Sequence, residues 1–433
     1  MRINRQNDEI REIKMNLNYT SNPEGSVLVE FGNTKVICTA MIEDKVPYFL
    51  KGKGIGWLSC EYSMLPGATK TRKVRDISKG KIDGRSQEIQ RLIGRSLRAC
   101  VDLSKLEEKT IWIDCDVISA DGGTRTASIN GAYAALVLAV NKAIEDKLID
   151  ENPIMCKIGA ISLGMLKGIK LLDLDYQEDF SADVDLNLVM NDKFEIIEIQ
   201  GTSEKTPMKK SDLYELLALG ENGIRTIFDL YEKVLPLRKK IVLSSDNINK
   251  INEIKELLID IPVDVVSKKQ AGFGGMEIDE KFNTLEENAK TKAVSIKKEI
   301  NMPVIADDSG LFVDYLGGEP GVHSARYSLS HDDRANRKKL LENLENVDNR
   351  KAHFKTILVY IDEEDQEHYF EGICEGEIAE EEKGENGFGY DNIFVPKGYN
   401  KTFGEMTDEE KNRMSHRSKA LEKFRKFIIK YIK

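Results

Sequence analysis

The chain contains two unlike turns, each lying between a strand-like and a helix-like segment, and this arrangement constrains its fold most. In the first half, residues 111–118 alternate like a strand, Gly122-Gly123 breaks the alternation, and an apolar helical pattern starts at Thr124. In the second half, the apolar strand 241–244 leads into the polar turn 245–250. Such turns direct backbone N–H groups and the positive end of a helix dipole at an anion. Two such sites predict two fused domains.

The boundary between the halves follows a long amphipathic segment. This segment opens at Ser211, a candidate N-cap, and stops at Pro236, after which a new strand pattern begins at Lys239. A chain of 433 residues is also too long for one ordinary core. No Gly/Ser-rich linker intervenes, so we predict two abutting domains, residues 1–238 and 239–433.

Composition indicates a cytoplasmic globular protein. Apolar runs such as 132–140 are too short to span a bilayer, and the polar N-terminus is unlike a signal peptide. The six cysteines form no CxxC pair, so we expect reduced core thiols rather than zinc ligands. The net charge of −10 argues against non-specific nucleic-acid binding by the whole surface, although a local basic groove remains compatible with it.

Basic residues are concentrated before the first turn. The segment 84–98 has a helical pattern that places Arg91, Arg95 and Arg98 on one face, and the basic stretch 70–75 precedes it. Within an acidic protein, this pattern indicates a track for an RNA backbone. The alternative is a solvated helix face beside a charged loop.

Carboxylates follow the same turn. Residues 171–176 and 181–188 are predicted strands, and Asp179 lies in the connection, where it can converge with Asp185. Two carboxylates near a phosphate site commonly hold a divalent cation or a proton. The alternative is an exposed acidic strand face.

Residues 1–236 resemble ribonuclease PH, a bacterial phosphorolytic 3′-to-5′ exoribonuclease. The motifs that carry the resemblance are 22–26, 61–66, 84–98, 121–128 and 181–185. The resemblance implies a β-α-β-α domain of the ribonuclease PH type that trims tRNA precursors with inorganic phosphate as co-substrate. It implies a catalytic or metal-binding pair, Asp179 and Asp185. The residues that it assigns to phosphate are Arg85, Gly123, Thr124 and Arg125, and those of the basic loop that guides tRNA are Lys70, Arg72, Lys73 and Arg75. The family usually has arginine where Gly67 stands here, which removes part of that basic loop.

The second half surrounds its turn with acids and an aromatic loop. Glu287 lies in the first turn of a helix that opens at Thr284, and the segment 304–310 is predicted to be a strand that ends in the acids Asp307-Asp308. Carboxylates at strand ends beside a phosphate turn indicate a Mg²⁺ site. The glycine-flanked segment 388–391 suits base stacking, and its alternative is a tight hairpin.

Residues 240–433 resemble the XTP/dITP/ITP diphosphatases, which convert purine nucleoside triphosphates with non-standard bases into the monophosphate and pyrophosphate. The motifs that carry the resemblance are 287–289, 306–311, 320–327, 387–391 and 415–417. It implies an α/β domain with a mixed sheet, so the whole chain combines α/β and α+β architecture. It implies that Glu287 and Asp308 bind Mg²⁺ and that Asp308 also accepts a proton. The implied substrate contacts are Ser245, Asp246, Asn247, Ile248, Asn249, Lys250, Ser309, Phe388, Gly389, Tyr390, Asp391, Lys411, His416 and Arg417. Asp246 replaces the family's usual glycine, so we expect its carboxylate to point away or the loop to differ.

Two alternatives stay open at this point. The first half could be a non-catalytic RNA-binding scaffold, although Arg125, Asp179 and Asp185 are all present. The second half could act on another class of modified nucleotide, such as pyrimidines, although His416-Arg417 favours purines. Both resemblances imply a homo-oligomer, a hexamer or an assembly of dimers.

Overall fold

The protein is described by a computed structural model covering residues 2, 5–75, 78, 80–81, 83–205, 207–328 and 332–432. The chain divides into two compact units, Met1–Arg238 and Lys239–Lys433.

Unit 1 begins with a five-stranded sheet in the order β1-β2-β3-β5-β4. Only β4 and β5 pair in parallel, and the other neighbours are antiparallel. The strands are β1 Ile13–Leu17, β2 Gly25–Phe31, β3 Thr34–Glu43, β4 Trp57–Met64 and β5 Thr110–Ser119. Short 3-10 turns lie at Tyr48–Leu50 and Leu103–Leu106.

A second sheet of unit 1 is antiparallel throughout, in the order β7-β6-β8-β9. Its strands are β6 Ile158–Leu166, β7 Ile169–Leu172, β8 Val184–Asn191 and β9 Ile196–Ser203. The described helices of this unit are α1 Gly84–Arg98, α2 Thr124–Glu145, α3 Tyr176–Ser181 and α4 Lys210–Val234.

Helix α2 forms the core of unit 1, because it packs against β2 and β3 of one sheet and against β6 of the other. Close approach depends on Gly131, where a Cβ atom would lie 2.6 Å from the Cys38 Sγ and from Val29 Cγ1. The helix is apolar and long enough to cross a membrane, but 89% of its most apolar window is buried in the protein. Its apolarity is therefore explained by its place between two sheets.

Unit 2 is built on one mixed sheet in the order β11-β10-β12-β14-β15-β16, with β13 beside β12. Strand β10 is parallel to both of its neighbours, and the remaining pairs are antiparallel, as the resemblance implied. The strands are β10 Lys239–Leu243, β11 Val263–Ser267, β12 Val304–Val313, β13 Pro320–Gly321, β14 Lys351–Ile361, β15 Glu367–Ile378 and β16 Phe394–Pro396.

Helices cover both faces of this sheet. One face packs against α6, and the other packs against α5 and α9, with a separate apolar cluster around Phe354, Phe394 and Phe403. The described helices are α5 Ile248–Leu257, α6 Leu285–Lys297, α7 Asp333–Asn343, α8 Asp408–Asn412 and α9 His416–Ile432. Four 3-10 turns lie at Asp314–Leu316, Ser324–Arg326, Asp391–Ile393 and Phe403–Glu405.

Three local predictions were wrong. The predicted strand 171–176 ends at Leu172, and Asp175 caps α3 through a capping box with Glu178, so Asp179 lies on a helix rather than in a turn. Helix α4 has Lys209 rather than Ser211 at its N-cap. The strand expected to end at Asp307-Asp308 continues to Val313, because β14 pairs along its whole length while β10 stops pairing at Ile305.

Candidate active sites

The glycine turn of unit 1 starts α2 in a conformation that favours glycine. Gly122 and Gly123 have φ values of 77° and 63°, and Gly123 is the N-cap of α2. A Cβ atom on Gly122 would lie 2.4 Å from the carbonyl oxygen of Leu174. The Thr34 hydroxyl donates to the carbonyl of Gly122 at 2.7 Å. The turn is therefore fixed from both sides and presents the N-terminus of α2.

Polar contacts orient the two residues that follow the turn. The Tyr62 hydroxyl donates to Thr124 Oγ1 at 3.0 Å in a buried position. The Arg125 guanidinium donates to Gln200 Oε1 on β9 at 2.6 Å, and Gln200 in turn donates to Glu88 on α1. Strand β9 thus holds Arg125 in an orientation that its own helix does not determine.

The structure brings the predicted carboxylates and arginines of unit 1 together. Burial, together with the neighbouring charge of Asp179, raises the pKa of Asp185 to about 6, against the opposing charges of Arg125 and Arg85. Burial also raises the pKa of Asp179, again opposed by both arginines. Glu204 adds negative charge beside both acids, and no pattern in the sequence pointed to it. The carboxylate pair can therefore hold either a proton or a cation.

An ion-pair network at the N-terminus supports this site, and sequence reasoning missed it. The Asp173 carboxylate accepts from Arg11 Nη2 at 2.6 Å and from Arg5 Nη1 at 3.0 Å, with its side chain only 1% exposed. Glu178 on α3 pairs with Arg2 at 2.6 Å and with Arg5 at 3.1 Å. The N-terminal segment thereby holds the helix that carries Asp179.

The same network reaches the glycine turn. Arg11 Nη1 donates to the Asp121 carbonyl at 2.5 Å, and its Nη2 is 3.5 Å from the Gly122 carbonyl. Asp121 also accepts from Asn33 at 3.0 Å. One guanidinium, that of Arg11, therefore links Asp173 to the turn that starts α2.

The basic loop lies on the surface of unit 1. Lys70, Arg72 and Arg75 are exposed, whereas Lys73 is partly buried and pairs with Asp83 at 3.3 Å. Three of the four cations assigned to tRNA therefore face solvent.

The predicted basic stripe on α1 is less cationic than its spacing indicated. Arg98 turns inward, where it donates to the Leu58 carbonyl at 2.9 Å and lies 4.9 Å from the Trp57 ring centroid. Arg95 pairs with Glu198 on β9. Both arginines contact residues that are distant in sequence, and helical periodicity cannot reveal such contacts.

The polar turn of unit 2 is capped by its own side chains. Asn247 Oδ1 accepts from the backbone N–H groups of Asn249 at 3.0 Å and Lys250 at 3.3 Å, while Ser245 Oγ accepts from the N–H of Asn247. Asp246 points to the turn that follows β11, where it accepts from the Lys269 N–H at 2.6 Å. Its carboxylate therefore points away from the turn, as we expected. The side chain of Ile248 is 64% exposed.

Asp307 holds the cations of this site, a role that its motif did not reveal. Lys250 Nζ lies 3.0 and 2.9 Å from its two carboxylate oxygens, and Arg417 Nε lies 3.5 Å away. Burial would raise the pKa of Asp307, but these cations hold it well below its usual value. Arg417 also donates to Glu253 at 3.1 Å. The two cations assigned to the substrate are thus held beside a permanent anion.

Asp308 has one engaged and one unsatisfied oxygen. Its Oδ1 accepts from Lys292 Nζ at 2.9 Å, and Lys292 also pairs with Glu280 at 2.7 Å. Its Oδ2 is buried without a hydrogen-bond partner, and burial raises the pKa of the carboxyl group. Such an orphaned oxygen fits a bound cation. The sequence offered no signal for Glu280 or Lys292.

The second predicted metal ligand, Glu287, is exposed and accepts from Thr284 Oγ1 at 2.8 Å within the N-terminal turn of α6. Among the described residues, no group of three or more His, Cys, Asp or Glu side chains has the arrangement of a metal site. The assignment of Glu287 and Asp308 to one cation therefore stays a prediction, because Glu287 is engaged within its own helix turn.

The aromatic loop lies against the same cations. Lys411 Nζ lies 4.8 Å and Arg417 Cζ 5.5 Å from the Phe388 ring centroid. Asp391 accepts from the Phe388 N–H and from Lys411 Nζ, each at 2.8 Å. Tyr390 lies deeper and donates to the Ser324 carbonyl at 2.8 Å.

The remaining predicted contacts are His416, Ser309 and Gly389. Its ring stacks on Phe354 with centroids 4.6 Å apart, and its buried Nδ1 has no hydrogen-bond partner. Burial and the nearby positive charges hold the pKa of His416 well below its usual value, so the ring is neutral. Ser309 and Thr356 share a hydrogen bond of 2.7 Å, and Gly389 donates its N–H to Asp333. A neutral ring nitrogen in a buried site suits recognition of a polar base edge.

Comparison with known proteins separates the chain at the same place. Residues 9–141 match the 3′ exoribonuclease family, domain 1, and residues 156–223 match its domain 2. Residues 241–427 match the Ham1 family. Ribonuclease PH of Bacillus subtilis is 56% identical over 233 residues, which cover 53% of this chain and 95% of that protein.

Two solved structures are similar to the second half. The Ham1 protein of Staphylococcus aureus is 38% identical, with a TM-score of 0.42, and the match covers 45% of this chain and 100% of that one. A nucleoside-triphosphatase / dITP/XTP pyrophosphatase of Mycobacterium abscessus is 39% identical, with a TM-score of 0.38, covering 43% and 98%. Residues 9–223 of this chain therefore belong to the ribonuclease PH family of 3′ exoribonucleases, residues 241–427 belong to the Ham1 family, and the protein is a fusion of two enzymes.

Proposed function

We propose that unit 1 trims RNA 3′ ends, including those of tRNA precursors, by phosphorolysis. A phosphate oxygen attacks the terminal phosphodiester, the bond to the 3′-oxygen of the preceding nucleotide breaks, and a nucleoside 5′-diphosphate leaves. Arg85, Arg125 and the N-terminus of α2 offset the charge of the attacking phosphate. The observation that carries this proposal is the carboxylate pair, Asp179 and Asp185, facing both arginines.

The leaving 3′-oxygen needs a proton or a positive charge. With a pKa of about 6, Asp185 retains a proton in part of the population near neutral pH and can donate it. A divalent cation held by Asp179 and Asp185 would instead supply positive charge to that oxygen. The exposed cations Lys70, Arg72 and Arg75 then contact the phosphate backbone of the tRNA.

The test measures removal of a 3′ tail from a tRNA precursor with and without inorganic phosphate. Arg125→Ala should lower the phosphorolysis rate by roughly 10²–10³-fold, by analogy with the loss of one preorganised oxyanion contact. Arg225→Ala, on the surface of α4 with 55% of its side chain exposed, is the matched control and should behave as wild type. Equal trimming with and without phosphate would exclude phosphorolysis, and RNA binding without trimming would favour a scaffold.

For unit 2, we propose hydrolysis of dITP, ITP and XTP to the monophosphate and pyrophosphate. Asp308 accepts a proton from the water that attacks the α-phosphate, and Lys250 and Arg417 bind the phosphate chain. Neutral His416 and the ring of Phe388 recognise the base. A 6-amino purine would leave buried polar groups of this site unpaired, which is a strong basis for rejecting it.

Mg²⁺ bound by Asp308 and Glu287 would supply positive charge to the triphosphate oxygens. The buried, unsatisfied Oδ2 of Asp308 supports this assignment. Glu287 has to exchange its hydrogen bond with Thr284 for the cation.

The decisive variant for unit 2 is Asp308→Asn, assayed with dITP and dATP in the presence of Mg²⁺. Loss of both the metal-binding charge and the base should abolish dITP hydrolysis while RNA trimming by unit 1 continues. Asp365→Asn, whose side chain is 78% exposed, is the control. Hydrolysis by Asp308→Asn at the wild-type rate would overturn the assignment, and preferred hydrolysis of modified pyrimidines would change the substrate class.

We also propose that the chain forms a homo-oligomer in the cytoplasm. Strand β9 is an edge strand whose Ile196 and Ile199 are 49% and 42% exposed, which suits burial against another subunit. All six cysteines are free, which agrees with a reducing compartment. A monomeric mass by light scattering at micromolar protein would refute the oligomer.

A further inference from the structure

Two aromatic rings stand exposed on the short helix α3. Tyr176 and Phe180 are one turn apart, with ring centroids 6.3 Å apart and planes inclined by 26°. The Tyr176 residue is 50% exposed and Phe180 is 82% exposed. The pair stacks on itself while leaving most of its surface to water, so the fold of unit 1 gains little from it.

The aromatic pair lies on the same helix as Asp179, one of the two carboxylates of the candidate site. Phe180 directly follows Asp179, whose carboxyl group lies close enough to Arg85 and Arg125 for both to lower its pKa against the effect of burial. The phosphodiester that is cleaved must reach these groups. Helix α3 therefore carries both a carboxylate of the candidate site and the exposed aromatic pair.

The helix is also held firmly enough to present its rings in one orientation. Its capping box joins Asp175 to Glu178, and Glu178 is bound by Arg2 and Arg5 from the N-terminal segment. A fixed aromatic platform beside a cation-lined site is a recurring arrangement in proteins that bind single-stranded nucleic acid.

We propose that Tyr176 and Phe180 stack on bases near the 3′ end of single-stranded RNA and hold it for cleavage. This inference rests on the phosphorolysis proposed above. Stacking tolerates every base, because each has a π-face, and this suits an enzyme that removes successive nucleotides. The position of Phe180 directly after Asp179 favours an RNA base as the occupant, and a contact with a second subunit is an outcome of the test below.

The experiment uses the full chain and a single-stranded RNA with 2-aminopurine at its last two positions, without phosphate so that no turnover occurs. Binding to the wild type should quench the fluorescence through stacking. Phe180→Ala should raise the Kd roughly tenfold. In a separate turnover assay with phosphate, it should raise the RNA KM in parallel, with kcat changed less than about twofold. The salt dependence of Kd should be unchanged, because no phosphate contact is removed.

Two further variants separate stacking from simple apolar contact. Phe180→Trp should restore quenching and affinity, whereas Phe180→Leu should not. Tyr48→Ala removes an aromatic side chain that is 94% exposed on another loop, and it should bind as the wild type does.

Three outcomes would overturn the proposal. They are an unchanged Kd for Phe180→Ala, full binding by Phe180→Leu, and a lower oligomer mass for Phe180→Ala in light scattering, which would assign the ring to a subunit contact. Failure of the phosphorolysis proposal would be recognised separately, because the wild type would then trim RNA at a rate that does not depend on phosphate.

Discussion

Replacing Asp173 by asparagine tests whether the N-terminal ion-pair network sets the geometry of the phosphate turn. The carboxylate accepts four hydrogen bonds, from Arg11 N, Nε and Nη2 at 2.8, 2.8 and 2.6 Å and from Arg5 Nη1 at 3.0 Å. Asparagine keeps the size of the side chain but removes its charge and turns one acceptor into a donor. The guanidinium of Arg11, whose side chain is 10% exposed, then lacks its counter-charge.

The expected cost follows from this burial. Removing one partner of a buried ion pair typically costs about 3–5 kcal/mol, because the other charge stays desolvated. Arg11 keeps its bond to the Asp121 carbonyl, so we expect the lower end of this range, about 3 kcal/mol. The KM for phosphate should also rise, because Arg11 connects Asp173 to the turn that starts α2.

The assay exploits the position of the tryptophans. The chain has two, Trp57 and Trp112, and both lie in unit 1. Urea unfolding followed by tryptophan fluorescence therefore reports unit 1, while dITP hydrolysis reports unit 2 and should be unaffected. The control is Glu12→Gln, which breaks an exposed pair with Lys14 and should cost less than about 1 kcal/mol. A loss below 1 kcal/mol for Asp173→Asn, with an unchanged phosphate KM, would refute the supporting role of the network.

Two more predictions use charge removal elsewhere. The pKa of Asp185 is raised to about 6 in the folded chain, so its ionisation destabilises unit 1 as pH rises through 6. Asp185→Asn should therefore stabilise unit 1 at pH 8 by at most about 3 kcal/mol. Urea unfolding curves should show that this gain vanishes below about pH 4. A gain in stability that does not depend on pH would contradict this prediction. Asp307→Asn leaves Lys250 and Arg417 buried without their shared anion and should destabilise unit 2 by about 3–5 kcal/mol in circular dichroism, with the tryptophan transition unchanged. Glu409→Gln, in an exposed pair, is the control, and an equal effect of both variants would show that burial does not matter here.

Local patterns in the sequence predicted the features that depend on neighbouring residues. The alternation of 111–118 and the glycine pair after it predicted β5 and the start of α2, because strand period and helix starts are short-range properties. The helical pattern of residues 84–98 predicted α1 at Gly84–Arg98. The mixed sheet of unit 2 followed from the resemblance, and not from any local pattern.

Short-range reasoning was wrong where competing local signals were close together. Residues 171–176 are predicted to be a strand, whereas Asp175 and Glu178 form a capping box that starts α3. The capping box satisfies backbone N–H groups in the first turn of the helix, so the strand ends before it.

The sequence by itself determined that there are two domains, two turns that each open a helix, and a set of acids and cations close to each turn. Only the tertiary structure decided which charges meet. Arg11 binds Asp173 across 162 residues, and Arg417 binds Glu253 across 164. Asp308 shares Lys292 with Glu280, and no pattern in the sequence pointed to either of these partners. Periodicity and capping operate over a few residues, whereas an ion pair forms wherever packing brings two distant segments together and removes them from water.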